Sequence, residues 1–405
     1  MDDRTSSVLW ITRKCPYPAL DGFRRLTMSS LTALVSQGCD IKIVVVGPEV
    51  PRSVVPTSAG DIAGVEHLHF EPTMGISQIA KGLLSAFPVN IAKHDSSALA
   101  GRLSQDVMDR EYGIIVLDSF HLSSWLPALR NRFPGCPVVL RQHNLEWRVV
   151  EGHAEYVRNP VKRALIRWQA RKLKSLELKT FPAFDMCVCI SDVERQTVSR
   201  EAPQSRVMTI PCSIDCALTA RPPAAKFDLC FIGRLDWYPN RQGLLWFLRE
   251  VYPLVRDEHP DVSLVIVGMK ADFPVTEFAN QNVTFTGVVD DYKQVLSSCR
   301  LFVNPVFYGG GIRIKALDVM ALGLPLVSTW KGVEATGARP DTHFLLAETR
   351  KEFVEKTASA LSHPAQLELM ADRSMQHVCG RFSSEAVSSA WGEVLSHLIR
   401  GRPEK

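Results

Sequence analysis

Short apolar runs alternate with stretches of helical periodicity along almost the whole chain, an order that few architectures other than parallel α/β accommodate. Strands are expected at residues 8–12, 41–46, 114–118, 138–141, 186–190 and 207–210. A helix over 24–36 presents Leu31, Leu34 and Val35 on one face and stops at Gly38. The alternation then breaks over 216–226, where ALTARPPAAK is rich in Pro and Ala and reads as a linker. It resumes with strands at 227–232, 263–267, 283–286, 301–303 and 325–328. A last helix, 384–400, carries Val387, Trp391, Val394, Leu395 and Leu398 at helical spacing. A chain of 405 residues also exceeds the ~250–300 at which a single core stops growing. The expectation is two Rossmann-like domains, 1–215 and 227–383, with the helix at 384–400 closing the first.

Composition narrows the chemistry. At 46% hydrophobic and 22% charged residues the chain is of ordinary globular type. A net charge of +4 is too small and too dispersed to point to nucleic acid. The ten cysteines form no CxxC pair, and several sit in strand-like runs such as MCVCIS and DLCFIG. They read as buried free thiols in a reducing compartment. An acidic start and a short first apolar run do not make a signal peptide, and no run approaches a spanning helix of ~18 residues. A cytoplasmic location is expected, with room for peripheral contact with the inner face of the plasma membrane.

The strongest local signal follows the strand LFVNP. In YGGGIRIKALDVM, Gly309, Gly310 and Gly311 let backbone N–H groups approach a ligand, and a helix over 314–322 turns its positive end toward the same place. Arg313 and Lys315 add charge. Together these suit a diphosphate, and Asp318 stands where an acid could accept from ribose hydroxyls. Neither a GxxxxGK[ST] nor a GxGxxG pattern is present. No transition-metal site is visible, and no obligatory metal or other cofactor is expected.

GGGIRIKALDVMALGLPLVST resembles the donor-site signature of the family 4 glycosyltransferases, which have the GT-B fold and usually retain anomeric configuration. FIGRLDWYPNRQGLLWF is similar to the start of their second domain. PYPALDGFRR resembles their first glycine-containing loop, and RQHNLEW a His-Asn-x-Glu element of a polysaccharide-associated branch. The resemblance spans residues 15–337. It implies two facing Rossmann-like domains with a deep cleft, the first binding acceptor and the second a nucleotide-diphosphate sugar, with UDP or GDP as the nucleotide. Carried over by position, Arg234, Arg313 and Lys315 contact the diphosphate. Gly22, the three glycines and Ile312 line the donor, and Asp318 takes the ribose. His143 faces the transferred sugar, and Arg24, Asn144 and Glu146 orient the loop or an acceptor hydroxyl. Two departures stand out. The first glutamate of the family's EX7E pattern falls on Gly310, and the lysine that often follows the GR element is replaced by Asn240.

Three further features keep two readings each. His143, just past the run PVVL, is either a structural hydrogen-bonding residue or a ligand group at the carboxyl end of a strand. Ser191 and Asp192 cap the next helix or serve the site. Residues 158–179 hold eight Arg and Lys against Glu177 alone, interleaved with Leu165, Trp168, Leu173 and Leu176. They form either a solvated helix face or an amphipathic helix lying on an anionic leaflet. The leading function is transfer of a sugar onto a glycan or lipid-linked acceptor. The alternatives are a sugar-nucleotide epimerase of the same fold and a nucleotide-sugar binding protein without catalysis.

Overall fold

The computed structural model describes residues 7–19, 21–48, 62–72, 75, 82, 88–92, 94–155, 157, 159–216, 225–268, 272–309 and 311–400. Gly310, Arg158 and most of the expected linker lie outside the described residues. The chain divides into two compact units, Met1–Ser213 with Ser384–Lys405, and Ile214–Ser383.

The first unit is built on seven parallel strands: β1 (Ser7–Thr12), β2 (Asp40–Gly47), β3 (Ile62–His69), β4 (Ile114–Asp118), β5 (Val138–Arg141), β6 (Met186–Cys189) and β7 (Val207–Thr209), in the order β3-β2-β1-β4-β5-β6-β7. Successive side chains of β1 point to opposite faces. Leu9 and Ile11 enter one core with Leu117, Phe120 and Trp125, while Val8 and Trp10 enter another. The second core is completed by Val387, Trp391, Val394, Leu395 and Leu398 of the last helix (Ser384–Arg400), so the end of the chain is a structural part of the first unit. Edge strand β3 went unrecognised in the sequence because Glu66, His67 and His69 interrupt its apolar run.

The second unit holds six parallel strands: β8 (Phe227–Ile232), β9 (Leu264–Val267), β10 (Val283–Gly287), β11 (Cys299–Asn304), β12 (Leu326–Ser328) and β13 (Leu345–Leu346), ordered β10-β9-β8-β11-β12-β13. The two-residue strand β13 is too short to show in a sequence pattern.

Both orders reverse direction once, between β1 and β4 in the first sheet and between β8 and β11 in the second. At such a point the connections on either side leave in opposite directions and open a crevice at the carboxyl ends of the strands, where open α/β sheets bind ligands. Thr12 and Asp118 are register partners at the first switch point. The turns after Ile232 and Asn304 lie at the second.

Candidate functional site

In the second unit, α1 (Ile314–Ala321) follows the glycine turn, and no side chain caps its start at Arg313. Gly309 and Gly311 have φ of 111° and 77°, values that favour glycine. Arg313 lies buried beneath the turn. Its Nη2 donates to the carbonyls of Gly309 at 2.8 Å and Tyr308 at 3.4 Å, and its Nε to that of Lys331 at 3.1 Å. Its guanidinium stands 5.6 Å from the centre of the Trp237 ring. Burial lowers its pKa to about 10, with Glu334 partly offsetting. Through Nε and Nη2 this guanidinium holds the shape of the turn.

The ammonium of Lys315 is the charge at the head of α1. Its Nζ donates to Asn240 Oδ1 at 2.9 Å and lies 4.6 Å from the centre of the Phe231 ring. Burial first, and Arg313 second, push its pKa well below the usual lysine range. Asn240 in turn donates from Nδ2 to the Arg234 carbonyl at 3.1 Å. A Cβ at Gly233 would stand 2.5 Å from that Nδ2, so the glycine of the GR element makes room for the amide. Asn240, noted in the sequence only as a missing lysine, is thus what joins β8's exit to α1. The exposed Arg234 forms a bidentate pair with Asp236, at 3.1 and 2.5 Å. Asp318 is buried and accepts from the Tyr292 hydroxyl at 2.8 Å. Ile312 is buried as well.

In the first unit, Asp118 ends β4 fully buried and accepts from three donors: Thr12 Oγ1 at 3.0 Å, Thr27 Oγ1 at 2.6 Å and His143 Nε2 at 2.5 Å. Burial alone would raise its pKa. His143, its hydrogen bond, that from Thr27 and the nearby Arg141 outweigh this and hold the carboxyl below its usual range. A carboxylate on Nε2 fixes the imidazole tautomer and directs Nδ1 elsewhere. That Nδ1 is buried and has no hydrogen-bond partner. Phe23 stacks on the ring, centroids 4.1 Å apart and 9° between planes. Asp118 and Phe23 were not singled out in the sequence, although an acid closing the apolar run IIVLD was a legible signal.

Gly22 opens α2 (Gly22–Ser36), whose N-cap Asp21 accepts from Arg24 N at 2.9 Å. The Arg24 guanidinium turns back to Asp21 at 2.9 Å and to the Cys15 carbonyl at 3.0 Å, bracing the loop. Asn144 is half-buried in the turn before α3 (Glu146–Glu155), which Glu146 opens. The backbone N–H groups of Glu146 and Trp147 donate to the two Glu177 oxygens, at 3.1 and 2.9 Å. The Glu146 carboxylate itself lies 3.8 Å from His121 Nδ1. Ser191 caps α4 (Asp192–Glu201) by accepting from Glu194 N. Among the described residues no group of three or more His, Cys, Asp or Glu could hold a metal ion.

Residues 226–363, within the second unit, match the family described as Glycosyl transferases group 1. Along 95% of this chain and 98% of its own length, an uncharacterised 44.6 kDa protein in the cps region of Klebsiella pneumoniae is 21% identical. Anabaena Alr3699/HepE, solved in complex with UDP, shares the fold with a TM-score of 0.66 at 14% identity, over 96% of this chain and 100% of that one. Sucrose-phosphate synthase from Thermosynechococcus elongatus does so at 0.69 and 16%, over 98% and 99%. The fold is the two-domain α/β architecture of GT-B glycosyltransferases.

Proposed function

We propose that this chain transfers a sugar from a nucleotide diphosphate, a UDP- or GDP-sugar, to a hydroxyl of a glycan or lipid-linked acceptor with retention of configuration. The observation that carries this reading is the desolvated ammonium of Lys315 at the head of α1, beside a glycine turn whose shape Arg313 holds. As the glycosidic bond lengthens, the departing diphosphate gains negative charge. A cation with little water to lose, next to backbone N–H groups and a helix start, stabilises that charge more than the ground state. A bound diphosphate also favours the charged form of Lys315, against the burial that disfavours it. Arg234, exposed and paired with Asp236 two residues on, can exchange its partner for a phosphate oxygen. Asp318 and Ile312 belong to the donor side of the same reading.

The domain 227–383 then acts as the donor domain, and 1–215 with 384–400 as the acceptor domain. His143 presents Nδ1 to a sugar hydroxyl while Asp118 holds the ring. In the retaining course the acceptor hydroxyl attacks from the leaving-group face and the departing phosphate takes its proton, so no pair of catalytic carboxylates is required. UDP as nucleotide is supported by its presence in complexes of the Anabaena relative.

A cytoplasmic enzyme peripheral to the inner face of the plasma membrane fits α5 (Pro160–Thr180). Val161, Leu165 and Trp168 follow at helical spacing and are 77%, 47% and 39% exposed, among Lys162, Arg167 and Arg171. Such a stripe suits an anionic leaflet. Reversing charge at Arg167 and Arg171 should weaken binding to phosphatidylglycerol vesicles, and unchanged binding would leave the helix a solvated face.

The central test is thermal shift with UDP, GDP and their sugars, combined with product analysis by NMR. UDP or GDP should raise Tm, and Lys315→Met should abolish that rise. An equal rise in the variant would mean the diphosphate binds elsewhere. Recovery of an epimerised donor instead of a transferred sugar would replace the reading.

A further inference from the structure

A cavity of about 200 Å³ opens in the first unit beside the carboxyl end of β1. Its floor is apolar, with Val46 and Phe70, while its polar lining includes Arg13, Lys14, Arg24 and His94. Among the described residues lining it, none is Asp or Glu. Arg13 is the decisive residue. Its Nε is buried and makes no hydrogen bond, and its Nη1 lies 3.5 Å from His94 Nε2. A guanidinium donor closed off from water without an acceptor costs free energy unless a ligand completes it.

The surrounding charges sharpen the point. Asp21 engages Lys14 at 3.2 Å and Arg24 at 2.9 Å, so these two are partly satisfied. Glu146 and Asp118 act on Arg13 only through longer-range attraction, and burial still lowers its pKa. Arg13 is therefore the cation with most to gain from an anion. Its guanidinium and the Lys14 ammonium lie 5.7 and 5.5 Å from the centre of the Phe23 ring, which stacks on His143. A group held by Arg13 is thus one aromatic ring away from the imidazole whose buried Nδ1 has no hydrogen-bond partner.

We propose that this cavity is an oxyanion subsite for the acceptor, in which Arg13, assisted by Lys14 and Arg24, binds a phosphate or carboxylate close to the reacting hydroxyl. That the anion belongs to an acceptor rests on the transferase reading; the anion site does not. Planar, forked donors favour bidentate binding of an oxyanion. The small volume suits a single charged group or an acidic sugar ring better than an extended glycan.

The full chain, saturated with UDP to occupy the diphosphate site, is titrated calorimetrically with glycerol 1-phosphate, with glucuronate and with neutral glucose. At least one oxyanion should bind and glucose should not. Arg13→Gln should weaken the oxyanion about tenfold or more while leaving UDP affinity unchanged. Preference for glycerol 1-phosphate would indicate a phosphate-bearing lipid-type acceptor, and preference for glucuronate an acidic glycan. Equal oxyanion affinity in Arg13→Gln and wild type, or glucose binding as tightly as the anions, would overturn the proposal. Should Arg13→Gln fail to fold, Arg13→Lys keeps the charge but loses the fork. It should still weaken the oxyanion several-fold, and an unchanged affinity would be equally decisive. Absence of UDP binding with oxyanion binding intact would remove the transferase reading alone.

Discussion

The two sheets each carry a polar site at the point where their connections diverge, yet the sites are held together in different ways. In the first unit side chains hold side chains: one buried carboxylate, Asp118, gathers Thr12, Thr27 and His143 and leaves a buried ring nitrogen without a hydrogen-bond partner. In the second unit a side chain holds backbone, since Arg313 gathers the carbonyls of Gly309, Tyr308 and Lys331. The first arrangement fixes the orientation of a single imidazole ring. The second fixes the shape of a surface made of main chain. A site that must direct a proton or a hydroxyl needs the former, and one that must enclose a phosphate needs the latter.

The largest test of this contrast is catalytic. His143→Ala should lower turnover by ~10²–10⁴ with the UDP-induced rise in Tm unchanged, because under the proposed function Nδ1 meets the sugar and not the diphosphate. Loss of the UDP response in this variant would erase the distinction between the two sites. Next comes stability. Arg313→Ala should destabilise by about 2–4 kcal/mol in urea unfolding, since it strips partners from three carbonyls, and Arg313→Lys should not restore the forked contact. A variant as stable as the parent would show that the turn holds its shape without the guanidinium.

The smallest effect concerns pH and separates two buried acids of the first unit. Burial raises Glu194 to about 7, so the folded state keeps a proton that the unfolded chain releases near pH ~4.3. Its contribution to stability therefore declines as pH rises from about 4.3 to about 7 and is level above that. Asp118 runs the other way. Its folded pKa is depressed, so its contribution is present above pH ~3.9 and is lost as pH falls through the folded value. Glu194→Gln should lessen the decline in Tm between pH 5 and 7, to which the buried Glu177, its pKa likewise raised by burial, also contributes, and leave the acid limb intact. An unchanged slope would mean that another group carries it.

Much of the molecule was readable before folding was considered. Strands β4, β5 and β8 have the expected bounds; β4 and β5 are buried throughout and read as near-continuous apolar runs, and β8 keeps its apolar run despite Asp228. The glycine turn was equally legible, since φ values of 111° and 77° restrict residue choice locally. Strand β3 was not, because an edge strand may carry polar residues. Nor could the sequence reveal that Arg313 turns under the loop while Lys315 reaches Asn240. Both are cations beside glycines, and only three-dimensional neighbours decide which is enclosed by carbonyls.

Residue order alone determined the two α/β series and the glycine turn after β11, both of which follow from local periodicity and backbone freedom. Tertiary structure decided the rest: Asp118 beneath His143, 25 positions apart in the chain, Asn240 beneath Lys315 and the unsatisfied Arg13 in its cavity. Each of these depends on strand order, which brings distant carboxyl ends together, and on desolvation, which gives a polar contact its strength only once water has been excluded.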